Sequence, residues 1–293
     1  MVSPPLPDER PFRGALAAIY AAMRAGYDPK TAAPDIAADH GHDPQFLEQV
    51  APLLDFLYGK YFRVRCLGIE NVPATGPALL VANHSGGVPY DGAMLIHAIF
   101  REHPNHRRLR ALVANFVFRS PWMSQVIARL GGVRAASGFA RELLSAGELV
   151  AVFPEGLRGV GKLFRERYRL ERFGRGGFVR LARETGVPIV PVAIVGAEEI
   201  HPVIAKLTRV AEPLGLPYIP ITPTFPLLGP LGLLPVPTKW TIRIGAPITV
   251  PPAGADSSGD QSKIISETAE MVRRRIDVMI ADILAHRRSI LFG

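Results

Sequence analysis

The chain has 293 residues, enough for one large domain or two small ones with a sizeable core. Hydrophobic residues make up 48% of it and charged residues 20%, which excludes a disordered chain. A formal net charge of +8 favours polyanionic partners: anionic lipid, nucleic acid or phosphorylated substrates. The single cysteine, Cys66, excludes an intramolecular disulfide and indicates a reducing compartment.

The N-terminal sixty residues predict two helices. Apolar residues recur at helical spacing between residues 11 and 27, and this helix can either dock on the domain or lie on a membrane. A polar connection at 28–43 leads to a second predicted helix from about residue 44 to residue 61. The first residues carry acidic side chains and prolines where a signal peptide has its apolar core, so we expect a protein of the cytosol or of the cytosolic membrane face.

Strand and helix patterns alternate through the rest of the chain. The predicted strands are 61–70, 78–84, 109–115, 148–156, 187–196 and 238–248. The predicted helices are 91–102, 121–131, 138–147, 174–186 and 260–284. Such alternation predicts an α/β sheet with helices on its faces.

An uncharged stretch at 213–238 is long enough on paper to span a bilayer. It contains eight prolines, each of which removes a backbone donor and opposes helix continuation. A lipid-exposed helix is therefore excluded here, and two alternatives stay open. The segment either packs under the domain or lies at a bilayer interface.

The stretch VANHSGGVPYDGAML, residues 81–95, combines a base, a flexible turn and a carboxylate. His84 follows an apolar strand, and open α/β sheets gather their sites at the carboxyl ends of strands. Asp91 lies where a helix begins, and the glycines and proline at 86–89 allow the chain to fold the carboxylate back onto the imidazole. A carboxylate on one ring nitrogen fixes the tautomer, so that the other nitrogen can accept a proton from a nucleophilic hydroxyl.

Two other interpretations of this stretch remain. Asp91 can simply cap the following helix, with His84 a satisfied histidine at a strand end. The letters HSGG are also typical of the oxyanion loop of lipases, but the chain has no G-x-S-x-G pentapeptide, which disfavours a serine hydrolase.

A second stretch with charged residues at a strand end is VAVFPEGLRG, residues 150–159. An apolar strand ends before Pro154, and Glu155, Gly156 and Arg158 follow. A carboxylate and a guanidinium at the mouth of a strand can together bind hydroxyls and a phosphate or carbonyl group. The alternative is an ordinary turn whose Glu155 and Arg158 are solvated.

The order NHxxxxxxD, FPEGxR and VPIVPV, spread over residues 79–196, resembles the glycerolipid acyltransferase family. That family comprises lysophosphatidate, glycerol-3-phosphate and related lysophospholipid acyltransferases. The resemblance implies a single mixed, largely parallel sheet flanked by helices, with additional helices at the N-terminus. It also implies a helical region at 1–62 with possible membrane contact, followed by an α/β acyltransferase domain at 63–293.

The resemblance further implies the roles of the residues in these motifs. His84 would be the general base and Asp91 its orienting partner, and the acceptor hydroxyl would attack an acyl thioester directly. The substrate-binding residues would be Pro154, Glu155, Gly156, Arg158 and Arg134, with Arg158 meeting a phosphate on the acceptor.

Two departures from the family pattern bear on the acceptor. Six residues separate His84 from Asp91 instead of four, which is closer to a bacterial branch related to mono- and diacylglycerol acyltransferases. The arginine of the family's second motif would fall at Ser137 or Gly138, with Arg134 near but out of register. A neutral lipid acceptor therefore stays open beside a phosphorylated one.

The segment 158–180 is rich in cations with interleaved aromatic residues. This mixture suits an anionic lipid surface, coenzyme A phosphates, an acidic acyl carrier protein or a nucleic acid, and the alternative is a solvated charged face. The FPEG motif immediately upstream favours the lipid or donor role. The cations inside the segment are Lys162, Arg165, Arg167, Arg169, Arg172 and Arg175.

The sequence thus predicts an O-acyltransferase bound peripherally to the cytoplasmic face of the cell membrane. It would move a fatty acyl group from acyl-CoA or acyl carrier protein to a hydroxyl of a lysophospholipid or glycerolipid, with no metal or redox cofactor and no nucleic acid partner. Two alternatives remain: a noncatalytic acyltransferase-like lipid-binding protein and, more distantly, a basic nucleic-acid-binding protein.

Overall fold

A computed structural model describes residues 10–24, 42–85, 90–115, 117–119, 121–211, 218–253 and 261–293. Nine strands occur in these ranges. They are β1 (Arg65–Leu67), β2 (Ala78–Ala82), β3 (Leu109–Val113), β4 (Gly132–Arg134), β5 (Leu149–Val152), β6 (Ile189–Val195), β7 (Ala205–Leu207), β8 (Ile219–Ile221) and β9 (Thr241–Ile244).

Seven strands form one mixed, largely parallel sheet in the order β1-β9-β6-β2-β5-β3-β4. The strands from β6 to β4 are parallel, whereas β9 pairs antiparallel with β6 and parallel with β1. All five residues of β2 are buried, because this strand lies between β5 and β6 with helices over both faces. The predicted mixed α/β sheet is confirmed.

The helices in the described ranges are numbered in chain order. They are α1 (Arg10–Arg24), α2 (Pro44–Phe56), α3 (Tyr90–Glu102), α4 (Pro121–Arg129), α5 (Ser137–Ser145), α6 (Gly156–Val160), α7 (Gly177–Thr185), α8 (Thr208–Ala211) and α9 (Gln261–His286). A π-helical segment, Leu57–Tyr61, continues α2 toward the sheet.

The core has two layers because successive strand residues point to opposite sheet faces. Leu79 and Val81 of β2 face the layer that α5, α7 and α9 cover. Leu80 and Ala82 face the other layer, which contains α3 and the fully buried Trp240. These layers fix β2, and therefore the residues that follow it, at the centre of the molecule.

The N-terminal helices dock on the domain. Phe46 and Val50 of α2 pack with Ala22 of α1, and α1 also contacts α4. The side chain of Asp43 accepts a hydrogen bond from the Phe46 amide at 3.0 Å and so caps α2. The docked position was one of the two alternatives for the first helix, although the outward face of α1 still exposes Leu16 and Tyr20.

Short elements escaped the sequence patterns. The three-residue strand β4, the five-residue helix α6 and the small antiparallel pair of β7 with β8 were not predicted. The predicted connection at 28–43 lies mostly outside the described residues. No helix among the described ranges is both long and apolar enough to cross a bilayer. The domain boundary at residue 62 stays a prediction.

Candidate active site

The candidate site begins where β2 ends. The side chain of Asn83 donates to the carbonyl of Ile194 at 2.9 Å and accepts from the Ile194 amide at 2.7 Å. A side chain thus takes over the pairing with β6 that the backbone of β2 would otherwise continue. The next residue, His84, leaves the sheet at its carboxyl edge.

His84 and Asp91 are in direct contact. Nδ1 of His84 lies 2.7 Å from Oδ2 of Asp91, although six residues separate them in sequence. The turn at 86–89, which was expected to bring them together, lies outside the described residues. The contact leaves Nε2 of His84 as the nitrogen that can accept a proton, and the imidazole side chain is 19% exposed.

Asp91 is held in place by backbone and side-chain donors. Its Oδ2 accepts from the Ser85 amide at 2.9 Å and the Ser85 hydroxyl at 3.3 Å, and its Oδ1 accepts from the Gly92 amide at 2.8 Å. The side chain is fully buried in the first turn of α3. Asp91 therefore accepts from an amide in the first turn of α3 and contacts His84 at once.

The electrostatics of the site favour a protonatable imidazole. Burial on its own would lower the pKa of His84, because it disfavours the charged ring. The charge of Asp91 and its hydrogen bond outweigh burial, with a smaller contribution from Glu155, and the pKa of His84 lies above its ordinary value. A base of this kind holds a transferred proton more firmly than a free histidine does.

The FPEG motif forms a tight turn next to His84. The amide of Gly156 donates to the carbonyl of Phe153 at 3.1 Å, and Gly156 has a positive φ of 57°. Proline suits the second position of such a turn, and glycine tolerates the left-handed conformation. The ring of Phe153 lies 4.8 Å from the ring of His84, measured between centroids. The turn directs Glu155 toward the interior.

Glu155 contacts the backbone of the histidine. Its Oε1 accepts from the His84 amide at 2.9 Å, and its Oε2 accepts from the Glu171 amide at 2.9 Å. The carboxylate is completely buried and also lies 3.0 Å from Nζ of Lys162. The resemblance assigned Glu155 to the acceptor, but the structure turns both of its oxygens toward groups of the protein.

Lys162 is a residue of the candidate site that the sequence patterns missed. It was counted among the cations of an exposed segment, and that placement is wrong, since its ammonium is buried between Glu155 and Glu198 at 3.0 Å from each. Glu198 also accepts from the Tyr168 amide at 2.9 Å. Burial opposes the charge of Lys162, yet the two carboxylates raise its pKa above the ordinary value. The cation therefore stays charged and binds both carboxylates.

Gly159 was also missed. A Cβ at this position of α6 would lie 2.7 Å from Cβ of Glu155 and 3.2 Å from Cβ of His84. Because neither contact is the end of a flexible side chain, a larger residue would push α6 away from the site. Glycine here allows the helix to pack directly on the two residues.

The two predicted arginines do not converge with His84. Arg158 lies in α6, beside the site, and is exposed. Arg134 ends β4, three strands from β2 in the sheet, which is roughly 14 Å at a strand spacing of ~4.8 Å. Its guanidinium lies 5.4 Å from the ring centroid of Phe118. Pro154 and Gly156 belong to the turn described above.

The segment 158–180 is less uniform than its composition suggested. Tyr168, Phe173 and Phe178 are buried, and all three belong to the core layer under α7. These rings are therefore not presented to a ligand in the way that stacking on nucleobases requires. The exposed cations of the segment include Arg165, Arg169, Arg172 and Arg175.

A mostly apolar cavity of about 210 Å³ lies between α2 and α3. Its apolar lining includes Leu47, Ala51, Leu54, Ala93, Ile96 and Phe100. Among the described residues, no three histidine, cysteine or carboxylate side chains cluster as metal ligands would.

Comparison with known proteins finds relatives over most of the chain. An uncharacterized protein of Mycobacterium tuberculosis is 46% identical over 280 residues, which cover 95% of this chain and 78% of that protein. An uncharacterized protein of Mycobacterium leprae is 48% identical over 257 residues, 87% of this chain and 70% of that one. A Homo sapiens protein named DGAT1/2-independent enzyme synthesizing storage lipids is 30% identical over 125 residues, 43% of this chain and 37% of that protein.

The family described as Acyltransferase matches residues 63–195, which contain His84, Asp91 and Glu155. Among solved structures, the 1-acyl-sn-glycerophosphate (LPA) acyltransferase PlsC from Thermotoga maritima has a TM-score of 0.53 over 95% of this chain and 90% of that chain. Its sequence identity of 19% makes this a likeness of fold alone. The match of residues 63–195 to the Acyltransferase family and the likeness to the human relative support a glycerolipid acyltransferase family for this chain, and the solved structure adds the shared fold.

Proposed function

We propose that this protein transfers a fatty acyl group from a thioester to a hydroxyl group of a lysophospholipid or glycerolipid. The donor would be acyl-CoA or acyl carrier protein. The contact of 2.7 Å between Nδ1 of His84 and the buried carboxylate of Asp91 is the observation that supports it most. A noncatalytic lipid-binding protein with this fold has no need to hold an imidazole in this way.

In the proposed mechanism, Nε2 of His84 takes the proton of the acceptor hydroxyl as its oxygen attacks the thioester carbonyl. The new C–O bond forms and the C–S bond breaks, and the proton on His84 passes to the departing thiolate. Asp91 keeps the proton of Nδ1 in place and stabilises the imidazolium that forms between the two transfers. General-base assistance of this type contributes roughly 10²–10⁴-fold to the rate.

Glu155 and Lys162 have a positioning role in this proposal. Glu155 fixes the His84 amide, and Lys162 neutralises Glu155 from the other side. His84 is thereby held both at its imidazole ring and at its backbone amide. Catalysis needs such restraint, because a displacement of about 1 Å can cost 10²-fold in rate.

The cavity between α2 and α3 suits a hydrocarbon chain. It is lined mainly by aliphatic side chains, and binding an alkyl chain there would remove apolar surface from water on both partners. We propose that it accommodates part of an acyl chain of one of the two substrates.

The acceptor belongs to one of two classes. Arg158 is exposed beside the FPEG turn and can meet a phosphate, which favours a lysophosphatidate-like acceptor. Arg134 lies across the sheet, and the human relative is named for synthesis of storage lipids, which favours a neutral glyceride. The substitution Arg158→Ala separates the two classes: KM rises for a phosphorylated acceptor and is unchanged for diacylglycerol.

The function is tested by measuring thiol release from long-chain acyl-CoA and acyl carrier protein. Lysophosphatidate, glycerol 3-phosphate, lysophospholipids and diacylglycerol are offered as acceptors. We expect release that depends on one acceptor and falls by at least about 10²-fold in His84→Ala. Release without any acceptor would identify a thioesterase instead. Acceptor-dependent transfer that is equal in His84→Ala would contradict the proposed base.

The noncatalytic alternative predicts no release with any donor, while lipid still binds. The nucleic-acid alternative predicts that single-stranded RNA binds at moderate salt, with an affinity that falls steeply as salt rises. A matched control for both is Val278→Ser, a substitution on the exposed face of α9.

A further inference from the structure

The segment 222–234, here called the leucine loop, exposes an unusual amount of apolar surface. It follows β8 and contains a short 3₁₀ helix at Gly229–Leu233. Leu227 is 84% exposed and Leu231 is 69% exposed. Isolated exposed leucines are common, but a contiguous cluster indicates an interaction surface. The exposed leucines of the loop are Leu227, Leu228, Leu231, Leu233 and Leu234.

The leucine loop is folded, and several of its backbone and hydroxyl groups are paired within it. The amides of Leu228, Gly229 and Leu234 donate to carbonyls of the loop at 2.8, 2.9 and 3.2 Å. The hydroxyl of Thr222 accepts from the Phe225 amide at 2.9 Å, and the hydroxyl of Thr224 donates to the Gly232 carbonyl at 3.0 Å. A segment that enters hydrocarbon must satisfy its backbone in this way, because lipid offers no partner.

The prolines of the leucine loop also reduce the cost of placing it in a membrane. Pro223, Pro226 and Pro230 have no amide hydrogen, so each lowers the number of donors that the loop must satisfy. They prevent a membrane-spanning helix, but they make an irregular loop less costly to insert. The loop, with 213–238 around it, also contains no charged residue.

Exposed cations lie on the elements next to β8, the strand from which the loop starts. Lys206 and Arg209 lie exposed on the neighbouring β7 and α8, where Leu207 and Val210 are exposed as well. Apolar side chains with cations around them match the two layers of an anionic bilayer surface, hydrocarbon beneath and phosphate above. The net charge of +8 acts in the same direction.

The leucine loop also adjoins the candidate active site. Nε2 of His201 lies 2.8 Å from the carbonyl of Leu233, and the ring of His201 lies 6.3 Å from the ring of Tyr90, the residue before Asp91. The hydroxyl of Tyr61 donates to the Pro235 carbonyl at 2.5 Å. A bilayer that receives the leucines would therefore lie beside the start of α3.

We propose that the leucine loop inserts into the outer part of a lipid bilayer and docks the protein with its site facing the membrane. The occupant of this surface is the bilayer itself. Docking as such does not depend on the proposed acyl transfer, which enters only in that a lipid acceptor would reach the site from the bilayer side.

The test compares vesicle binding of two double variants, without substrates. Leu227→Ser/Leu231→Ser removes two leucines of the loop, and Met271→Ser/Val278→Ser removes two exposed apolar side chains of α9 as a matched control. Burying one leucine changes an equilibrium by about tenfold or more. We expect co-sedimentation with phosphatidylglycerol vesicles to weaken at least tenfold in the loop variant only. Equal binding of both variants, or no binding of the unmodified protein, would overturn the proposal.

A fluorescent reporter locates the inserted residue. Burial is the largest cause that raises the pKa of the Cys66 thiol to about 12, so that a cysteine introduced at an exposed position reacts selectively near neutral pH. An environment-sensitive label on Leu231→Cys should shift to shorter wavelength with vesicles and be quenched by lipid-borne quenchers. The same label on Val278→Cys should do neither, and the reverse pattern would contradict the proposed orientation.

Two further measurements separate the contribution of the cations from that of the leucines, and docking from catalysis. Salt screens the attraction of the cations but not the insertion of leucines, so the difference between the two double variants should persist at high salt. His84→Ala should bind vesicles as the unmodified protein does. Leucine-dependent docking by an unmodified protein that transfers no acyl group would refute the proposed catalysis alone, and activity without leucine-dependent docking would refute the docking alone.

Discussion

Two buried carboxylates hold His84, and they do so at different parts of the residue. Asp91 contacts the imidazole, so it acts on the nitrogen that would exchange protons. Glu155 contacts the backbone amide of His84, so it fixes the position of the imidazole ring. Both carboxylates accept from backbone amides, but only Glu155 also pairs with a buried lysine. The difference suggests that one carboxylate serves the chemistry and the other serves the geometry.

The substitution Asp91→Asn should have the largest effect on rate. An amide cannot stabilise the imidazolium by charge, and its NH₂ group conflicts either with the donors of Ser85 or with the Gly92 amide, according to which oxygen it replaces. We expect kcat to fall by roughly 10²–10⁴-fold. Because the two side chains act as a unit, the double variant His84→Ala/Asp91→Asn should be no slower than His84→Ala. Additive losses would show that the two residues act independently.

The substitution Lys162→Met should have the largest effect on stability. It leaves Glu155 and Glu198 buried without their shared cation. Removing one partner of a buried ion pair costs about 3–5 kcal/mol in the free energy of unfolding, measurable by urea denaturation. The double variant Lys162→Met/Glu198→Gln removes one of the stranded carboxylates and should recover part of the loss. A single variant as stable as the unmodified protein would contradict the proposed network.

The substitution Glu155→Gln separates a positioning role from acceptor binding. A positioning role predicts that kcat falls by up to about 10²-fold, with the KM of the acceptor unchanged, because the imidazole is displaced by a fraction of an ångström. Acceptor binding by Glu155, which the family resemblance implied, predicts the opposite: a raised KM with little change in kcat. Steady-state kinetics at varied acceptor concentration distinguishes the two.

The sequence predicted the parts of the site that directly follow apolar strands. His84 and Glu155 come directly after β2 and β5, whose runs of buried residues are unmistakable, and parallel strands bring their carboxyl ends to one edge. Asp91 was predicted from the helical pattern that starts at this residue. The sequence could predict that His84 and Asp91 meet, but the distance between them is given only by the folded chain.

The remaining parts had no usable signal. Lys162 stands in a run of cations, and its burial depends on Glu198, 36 residues further along the chain. The helix α6 is too short to show a period, so the close approach of Gly159 to His84 was invisible. The sequence left open whether the segment with the leucine loop packs under the domain or lies at a bilayer interface, because its composition is the same in both cases. Each of these features is set by tertiary contacts rather than by local pattern.

The pH dependence of kcat/KM tests the proposed base most directly, because it reports ionisations of the free enzyme. The base must be neutral, and the pKa of His84 is raised above its ordinary value, chiefly because Asp91 outweighs burial. The rate of acyl transfer should therefore be full above this pKa and fall as the pH drops through it, at a pH above about 6.5. In Asp91→Asn, burial remains without the carboxylate, so the acid limb should move to lower pH. An acid limb at the same pH in both proteins would contradict the assignment of the His84–Asp91 pair as the catalytic base.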